Sequence, residues 1–180
     1  MSPRATHHHK HPQNSGAKRN HGPITPCNDK NDTQLRNRPR RTVYLDGVFD
    51  LFHVGHLEAI KHCAKLGDKV IIGITGDEDA AGYKRSPIIP QNERIAIISS
   101  LRYVDEIVCP CPLVVTEKFM EDAGIDLVVH GFANDEDAKR QQVFFEPPMR
   151  LNKFRRIPYY DGQSTTEILQ RIQAMDKIID

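Results

Sequence analysis

The chain has no tryptophan, only four cysteines in 180 residues, and no long apolar run. A membrane-spanning helix needs about 20 consecutive apolar residues, so none is expected. The opening MSPRATHHHKH contains no apolar segment, and no signal peptide is expected either. Cys27, Cys63, Cys109 and Cys111 form no CxxC pair and are too sparse for a disulfide scaffold, while Cys109-Pro110-Cys111 is too closely spaced for a zinc knuckle. Reduced thiols in a cytoplasmic protein are the expectation. The lack of tryptophan removes the best wall for a cage that would bind a quaternary ammonium.

The formal net charge of +1 is unevenly distributed. Residues 1–40 carry eight Lys/Arg and two Asp/Glu, a net +6; the remaining 17 Lys/Arg and 22 Asp/Glu give residues 41–180 a net −5. An acidic domain has to gather positive charge locally to hold an anion, which argues against a general nucleic-acid binder. Residues 1–40 are rich in His, Pro, Asn, Lys and Arg and nearly without apolar residues, the composition of a disordered basic tail. Residues 41–180 are long enough for one domain with a real core.

Within that domain, Thr42 to Leu45 is apolar and β-favouring, Leu57 to Leu66 places Leu57, Ile60 and Ala64 at helical spacing, and Lys69 to Thr75 reads as a strand buried on both faces. Strand, helix, strand at this spacing predicts a parallel sheet with right-handed crossovers, an α/β Rossmann-like fold with helices on both faces. The pattern continues with a loop over Asp77 to Pro90, a helix over Gln91 to Leu101 and a third strand within Tyr103 to Val108. Thr116 is a plausible N-cap for a helix through Ala123, stopped at Gly124. A fourth strand over Ile125 to Val129, a short helix over Gln141 to Phe145 ended by Pro147-Pro148, a last strand over Arg155 to Pro158 and a helix over Glu167 to Ile179 complete the reading.

The functional signal concentrates where the first strand turns into the first helix, in Gly47-Val48-Phe49-Asp50-Leu51-Phe52-His53-Val54-Gly55-His56. A strand that ends in a tight turn feeding a helix N-terminus offers unpaired backbone N–H groups and a positive dipole end to phosphates. His53 and His56 add donors near neutral pH, and Gly55 between them leaves room for close approach. Taken alone, two such histidines are more simply a helix cap. Ser164-Thr165-Thr166 is a second helix N-terminus, which taken alone is an ordinary N-cap. In a parallel sheet the ligand crevice lies beyond the carboxyl ends of the strands, where Gly47 to His56, Lys84, His130-Gly131 and Ser164 to Thr166 all fall.

The Gly47 to His56 run resembles the HxGH signature of the nucleotidyltransferases, and specifically of the cytidylyltransferases that activate phosphoethanolamine, phosphocholine or glycerol 3-phosphate. The likeness extends from Arg41 to about Ile172. It implies transfer of CMP from CTP to a phospho-alcohol with release of pyrophosphate, catalysed by His53, His56 and Lys84 with Mg2+. It further implies nucleotide binding by Gly47, Val48, Phe49, Asp50, Gly55, His130, Gly131, Gly162, Ser164, Thr165 and Thr166. Asp50, Lys84, Arg102, Asp105 and Leu113 are the residues implied in substrate binding, although Arg102 and Asp105 in the run Arg102-Tyr103-Val104-Asp105-Glu106 could equally form a structural ion pair. A homodimer is implied, with that run near the contact. No carboxylate cluster marks a dedicated metal site.

Two departures bear on substrate. The family reads RTEGISTT where this chain reads Tyr159-Tyr160-Asp161-Gly162-Gln163-Ser164-Thr165-Thr166, so Tyr159 replaces an arginine of the triphosphate site; Arg155 or Arg156 could reach in instead. Leu113 stands where phosphocholine enzymes carry tryptophan. A primary ammonium would be satisfied by carboxylates such as Asp50 or Asp135, which favours phosphoethanolamine and CDP-ethanolamine. Phosphocholine, glycerol 3-phosphate and a non-catalytic nucleotide-binding relative remain the alternatives.

Overall fold

The structure, a computed structural model, describes residues 40–83 and 85–179. The expectations for the tail, apart from Arg40, and for Lys84 lie outside the described residues. Five strands form one parallel sheet: β1 (Thr42–Gly47), β2 (Lys69–Ile74), β3 (Glu106–Val108), β4 (Leu127–His130) and β5 (Phe154–Arg156), in the order β3-β2-β1-β4-β5. The order reverses beside β1. A crevice therefore opens between the loops that leave β1 and β4.

Strand alternation sorts the core onto two faces. Val43, Leu45, Val70, Ile72 and Ile74 pack with Ile60 of α1 (Val54–Ala64) and Ile98 of α3 (Gln91–Ser99). Tyr44, Ile71 and Val128 pack on the opposite face with Met120 of α4 (Glu117–Asp122) and Phe145 of α5 (Asp135–Arg150). Helices cover both faces, as the buried apolar strands require. The last helix, α6 (Thr165–Ile179), begins at the cleft. No helix among the described residues is long and apolar enough to cross a membrane.

Two stretches differ from the sequence expectation. Asp77 to Pro90 is not all loop, because Asp77–Tyr83 forms a short helix, α2, whose first turn holds Asp77, Glu78 and Asp79 at the positive end of the dipole. The expected short helix over Gln141 to Phe145 is the middle of α5, which runs through Pro147-Pro148. Proline 148 cannot donate to the carbonyl four residues back, but Val115 N donates to that Phe144 oxygen at 2.9 Å, so the missing bond leaves no orphan. Asn134 caps the start by accepting from Asp137 N at 2.8 Å. Thr116 caps α4 as its sequence predicts, accepting from Phe119 N at 3.1 Å, and Gly124 follows with φ +63°.

Candidate active site

The turn after β1 is held in an uncommon backbone conformation. Phe49 and Leu51 have φ of 55° and 46°, left-handed values that non-glycine residues adopt only where the surroundings compel them. Arg94, fully buried in α3, supplies much of that compulsion. Its guanidinium donates to Val48 O, to Ile89 O and Thr75 O at 3.0 Å each, and to Asp77 Oδ1 at 2.6 Å. One cation thus ties together the loops that leave β1 and β2 and the segment before α3.

Asp50, 4% exposed, fixes the same region from the other side. Its carboxylate accepts from Ile88 N, from Ile89 N at 2.9 Å and from Arg85 Nη2 at 2.8 Å. Burial alone would raise its pKa, but the two amides and the guanidinium together hold it below the ordinary aspartate value. An engaged carboxylate of this kind is a clamp for the 85–89 segment, a use that the sequence expectation of an ammonium partner did not include.

His53 is the N-cap of α1, and its Nδ1 accepts from Gly55 N at 3.1 Å. His56 Nδ1 accepts from His53 N at 3.4 Å, closing a reciprocal capping box. A neutral imidazole whose Nδ1 accepts carries its proton on Nε2, so the cap sets which tautomer each ring adopts when neutral. Their centroids lie 3.8 Å apart. Burial, opposed by Glu167, keeps the His53 pKa below its ordinary value and the ring neutral at pH 7. The cap reading therefore holds, and the capped rings both line the cleft described below.

The second wall is stitched to the first. Thr165 Oγ1 donates to Asp50 O at 3.1 Å and lies 3.4 Å from His53 Nε2. A Cβ on Gly55 would meet the Gln163 carbonyl at 3.0 Å and the His53 ring at 2.9 Å. Gly55 is required for this close approach, which occupies part of the room expected for a phosphoryl group. His130, at the end of β4, lies 3.3 Å from Asp46 Oδ1 and packs on Phe132 and Phe145 at ring-centroid distances of 4.8 and 4.6 Å.

These elements enclose a cleft of about 500 Å³. It is lined by Gly47, Val48, Phe49, Asp50, His53, Gly55, His56, His130, Gly131, Ser164, Thr165 and Thr166, all expected from the sequence. Asp46, Arg85, Pro87, Tyr160 and Gln163 line it as well, although nothing in the sequence pattern singles them out as site residues. Tyr159 is on the wall, its phenol kept neutral by burial and by nearby Asp137, Glu167 and Asp161. Gly162 is not part of this lining; a Cβ there would strike the Tyr160 ring at 2.6 Å.

Three implied substrate residues lie elsewhere. Asp105 sits at the amino end of the sheet and accepts from Val70 N at 2.7 Å, while Arg102 is exposed with Nη2 2.7 Å from Tyr103 Oη. Neither residue lines the cleft, unlike Asp50, and they form no ion pair with each other among the described contacts. Leu113, half-buried after β3, does not line the cleft. Arg156 is taken up by Asp135 at 3.0 Å and neither residue lines the cleft, so this arginine does not supply the missing cation and Asp135 does not receive the ammonium.

A model of the cytidylyltransferase-like family matches residues 44–171, which contain this whole cleft. The chain belongs to the cytidylyltransferase-like family. It is 37% identical over 137 residues to an ethanolamine-phosphate cytidylyltransferase of Dictyostelium discoideum, a match that covers 73% of this chain and 38% of that protein. It is 32% identical over 146 residues to choline-phosphate cytidylyltransferase 2 of Arabidopsis thaliana, covering 78% of this chain and 47% of that one. The chain thus spans less than half the length of these curated relatives. Among solved structures, the lipopolysaccharide core biosynthesis protein of Thermoplasma volcanium superimposes with a TM-score of 0.55 at 28% identity, over 68% of this chain and all of that one. In this cytidylyltransferase-like chain, the matched residues include the capping box and turn that carry His53 and His56.

Proposed function

We propose that the chain transfers CMP from CTP to the phosphate of phosphoethanolamine, releasing pyrophosphate and forming CDP-ethanolamine. The observation that carries this reading is the pair of imidazoles, His53 and His56, whose Nδ1 atoms are held by the α1 cap, with His53 Nε2 also 3.4 Å from Thr165 Oγ1 at the N-terminus of α6. In such a reaction an acceptor phosphate oxygen attacks the α-phosphorus in line, the new P–O bond forms as the bond to pyrophosphate breaks, and no covalent enzyme intermediate is needed. Charge grows on the α-phosphate oxygens and the leaving group. Two preorganised donors, the backbone N–H groups of Ser164 to Thr166 and Lys84 would stabilise that charge without reorganisation.

No group of three or more His, Cys, Asp or Glu among the described residues is arranged to hold a metal ion. Magnesium that enters with a nucleotide is held largely by phosphate oxygens and needs only one or two protein carboxylates. Asp46, on the cleft wall, is the carboxylate suited to share it. The ion would supply further neutralisation of phosphate charge. A cytoplasmic homodimer belongs to the same reading, with the exposed Arg102 region as its contact.

The choice of phosphoethanolamine draws support from the Dictyostelium relative's name and from the absence of tryptophan. An ethanolamine ammonium has N–H donors for acceptors on the cleft wall; methylation removes them and would leave unpaired any acceptor that the bound ligand covers. Each such group costs about 1–3 kcal/mol, roughly 5- to 150-fold in specificity constant. Competing phosphoethanolamine against phosphocholine at equal concentration, with CTP and the full chain, should yield mainly CDP-ethanolamine. A mixture dominated by CDP-choline would refute the acceptor, and CTP binding without pyrophosphate release for any phospho-alcohol would make the chain a non-catalytic nucleotide binder.

A further inference from the structure

The cleft has an unusual charge balance for a polyphosphate site. Its described lining contains two carboxylates, Asp46 and Asp50, and one permanently charged cation, Arg85. Tyr159, at the position where the resembled family carries arginine, contributes a neutral ring to the wall. A nucleoside triphosphate brings several negative charges into this space, and unpaired carboxylates there would repel it.

Arg85 is built into the rim rather than left trailing in solvent. Its Nη2 donates to Asp50 Oδ2 at 2.8 Å and its Nη1 to Ser86 O at 3.1 Å, while Asp50 also accepts from the Ile88 and Ile89 amides just beyond. The side chain is 41% exposed, against 5% for its partner. A guanidinium has five N–H donors in a planar fork, and these bonds take two, so one edge can stay on Asp50 while another meets a phosphate. Asp50 is itself tied to the second wall through Thr165, which fixes the guanidinium relative to the α6 N-terminus.

We infer that Arg85 is the polyphosphate-binding arginine of this chain, presented by Asp50 from the loop after α2 and replacing in function the cation that Tyr159 does not supply. The inference rests on the nucleotide-binding reading above but concerns polyphosphate recognition alone. Two probes keep the two ideas separable: CTP, and inorganic tripolyphosphate, which has no base.

The test is isothermal titration of the full chain with each probe, for the parent, Arg85→Gln, Tyr159→Arg and the double variant, beside pyrophosphate-release kinetics. Glutamine retains a hydrogen bond to Asp50, so the loop anchor persists and thermal melting reports any loss of fold. Arg85→Gln should weaken both probes about 10- to 100-fold and raise KM for CTP more than it lowers kcat, as loss of a charge-assisted bond does. Adding Tyr159→Arg to that variant should recover at least about tenfold of the loss, since it returns a cation to the same cleft. A purely structural role would lower melting without this rescue. Tripolyphosphate and CTP affinities of Arg85→Gln within about twofold of the parent, or a double variant no tighter than the single, would overturn the inference. If the parent binds tripolyphosphate through Arg85 but not CTP, only the cytidine reading fails; if it binds neither, both do.

Discussion

At the amino ends of the strands, Asp68, Asp105 and Asp126 each stand immediately before a strand and accept a backbone N–H beside them, from Arg41 at 3.0 Å, Val70 at 2.7 Å and Thr42 at 2.8 Å. At the carboxyl ends, Asp50 accepts the Ile88 and Ile89 amides and holds a guanidinium at the rim of the cleft. The same side chain clamps the sheet at one end and presents charge at the other. The difference lies in what else converges there. At the amino end the aspartates meet strand backbone, whereas at the carboxyl end helix N-termini, imidazoles and the loop arginine Arg85 face one space, which is where ligand chemistry collects in a parallel sheet.

Breaking the carboxyl end should cost most. Arg94→Met strips a buried guanidinium from three carbonyls and Asp77, leaving acceptors unpaired, and should destabilise the chain by about 3–5 kcal/mol. Urea denaturation measures this, and a loss below about 1 kcal/mol would mean the cation is not what holds the β1 and β2 loops together.

A smaller effect sharpens the contrast. Asp105→Asn keeps the shape but weakens the acceptor for Val70 N, so stability should fall by about 1 kcal/mol, a shift of roughly 2–4 °C in melting, with KM for CTP unchanged. A tenfold rise in KM with no change in melting would return Asp105 to the substrate site.

The sequence makes some of this contrast legible and conceals the rest. The turn and histidines from Gly47 to His56 can be read because strand, glycine and helix start follow one another within a few residues, so local chemistry dictates local geometry. The caps at Thr116 and Gly124 are readable for the same reason. Arg94 is not: on an amphipathic helix it looks solvated, and its burial arises from Val48, Thr75 and Ile89, which three different segments contribute. Asp105 is hidden likewise, since its partner Val70 lies 35 residues away. Pro147-Pro148 misleads because a proline normally ends a helix, and only a tertiary bond from Val115 shows how α5 tolerates it. Arg85 escapes notice because nothing local distinguishes an arginine anchored by a buried aspartate from one in solvent.

The proposed reaction makes the cap that orients His53 and His56 the catalytic device of the cleft. Its most direct test is pyrophosphate release from CTP and phosphoethanolamine by His56→Ala, measured beside CTP affinity and thermal melting. Removing one preorganised donor should lower kcat by about 10²–10³-fold with CTP affinity nearly kept. Loss of the capping contact should shift melting by no more than about 4 °C. Turnover within about threefold of the parent in a folded preparation would contradict the account.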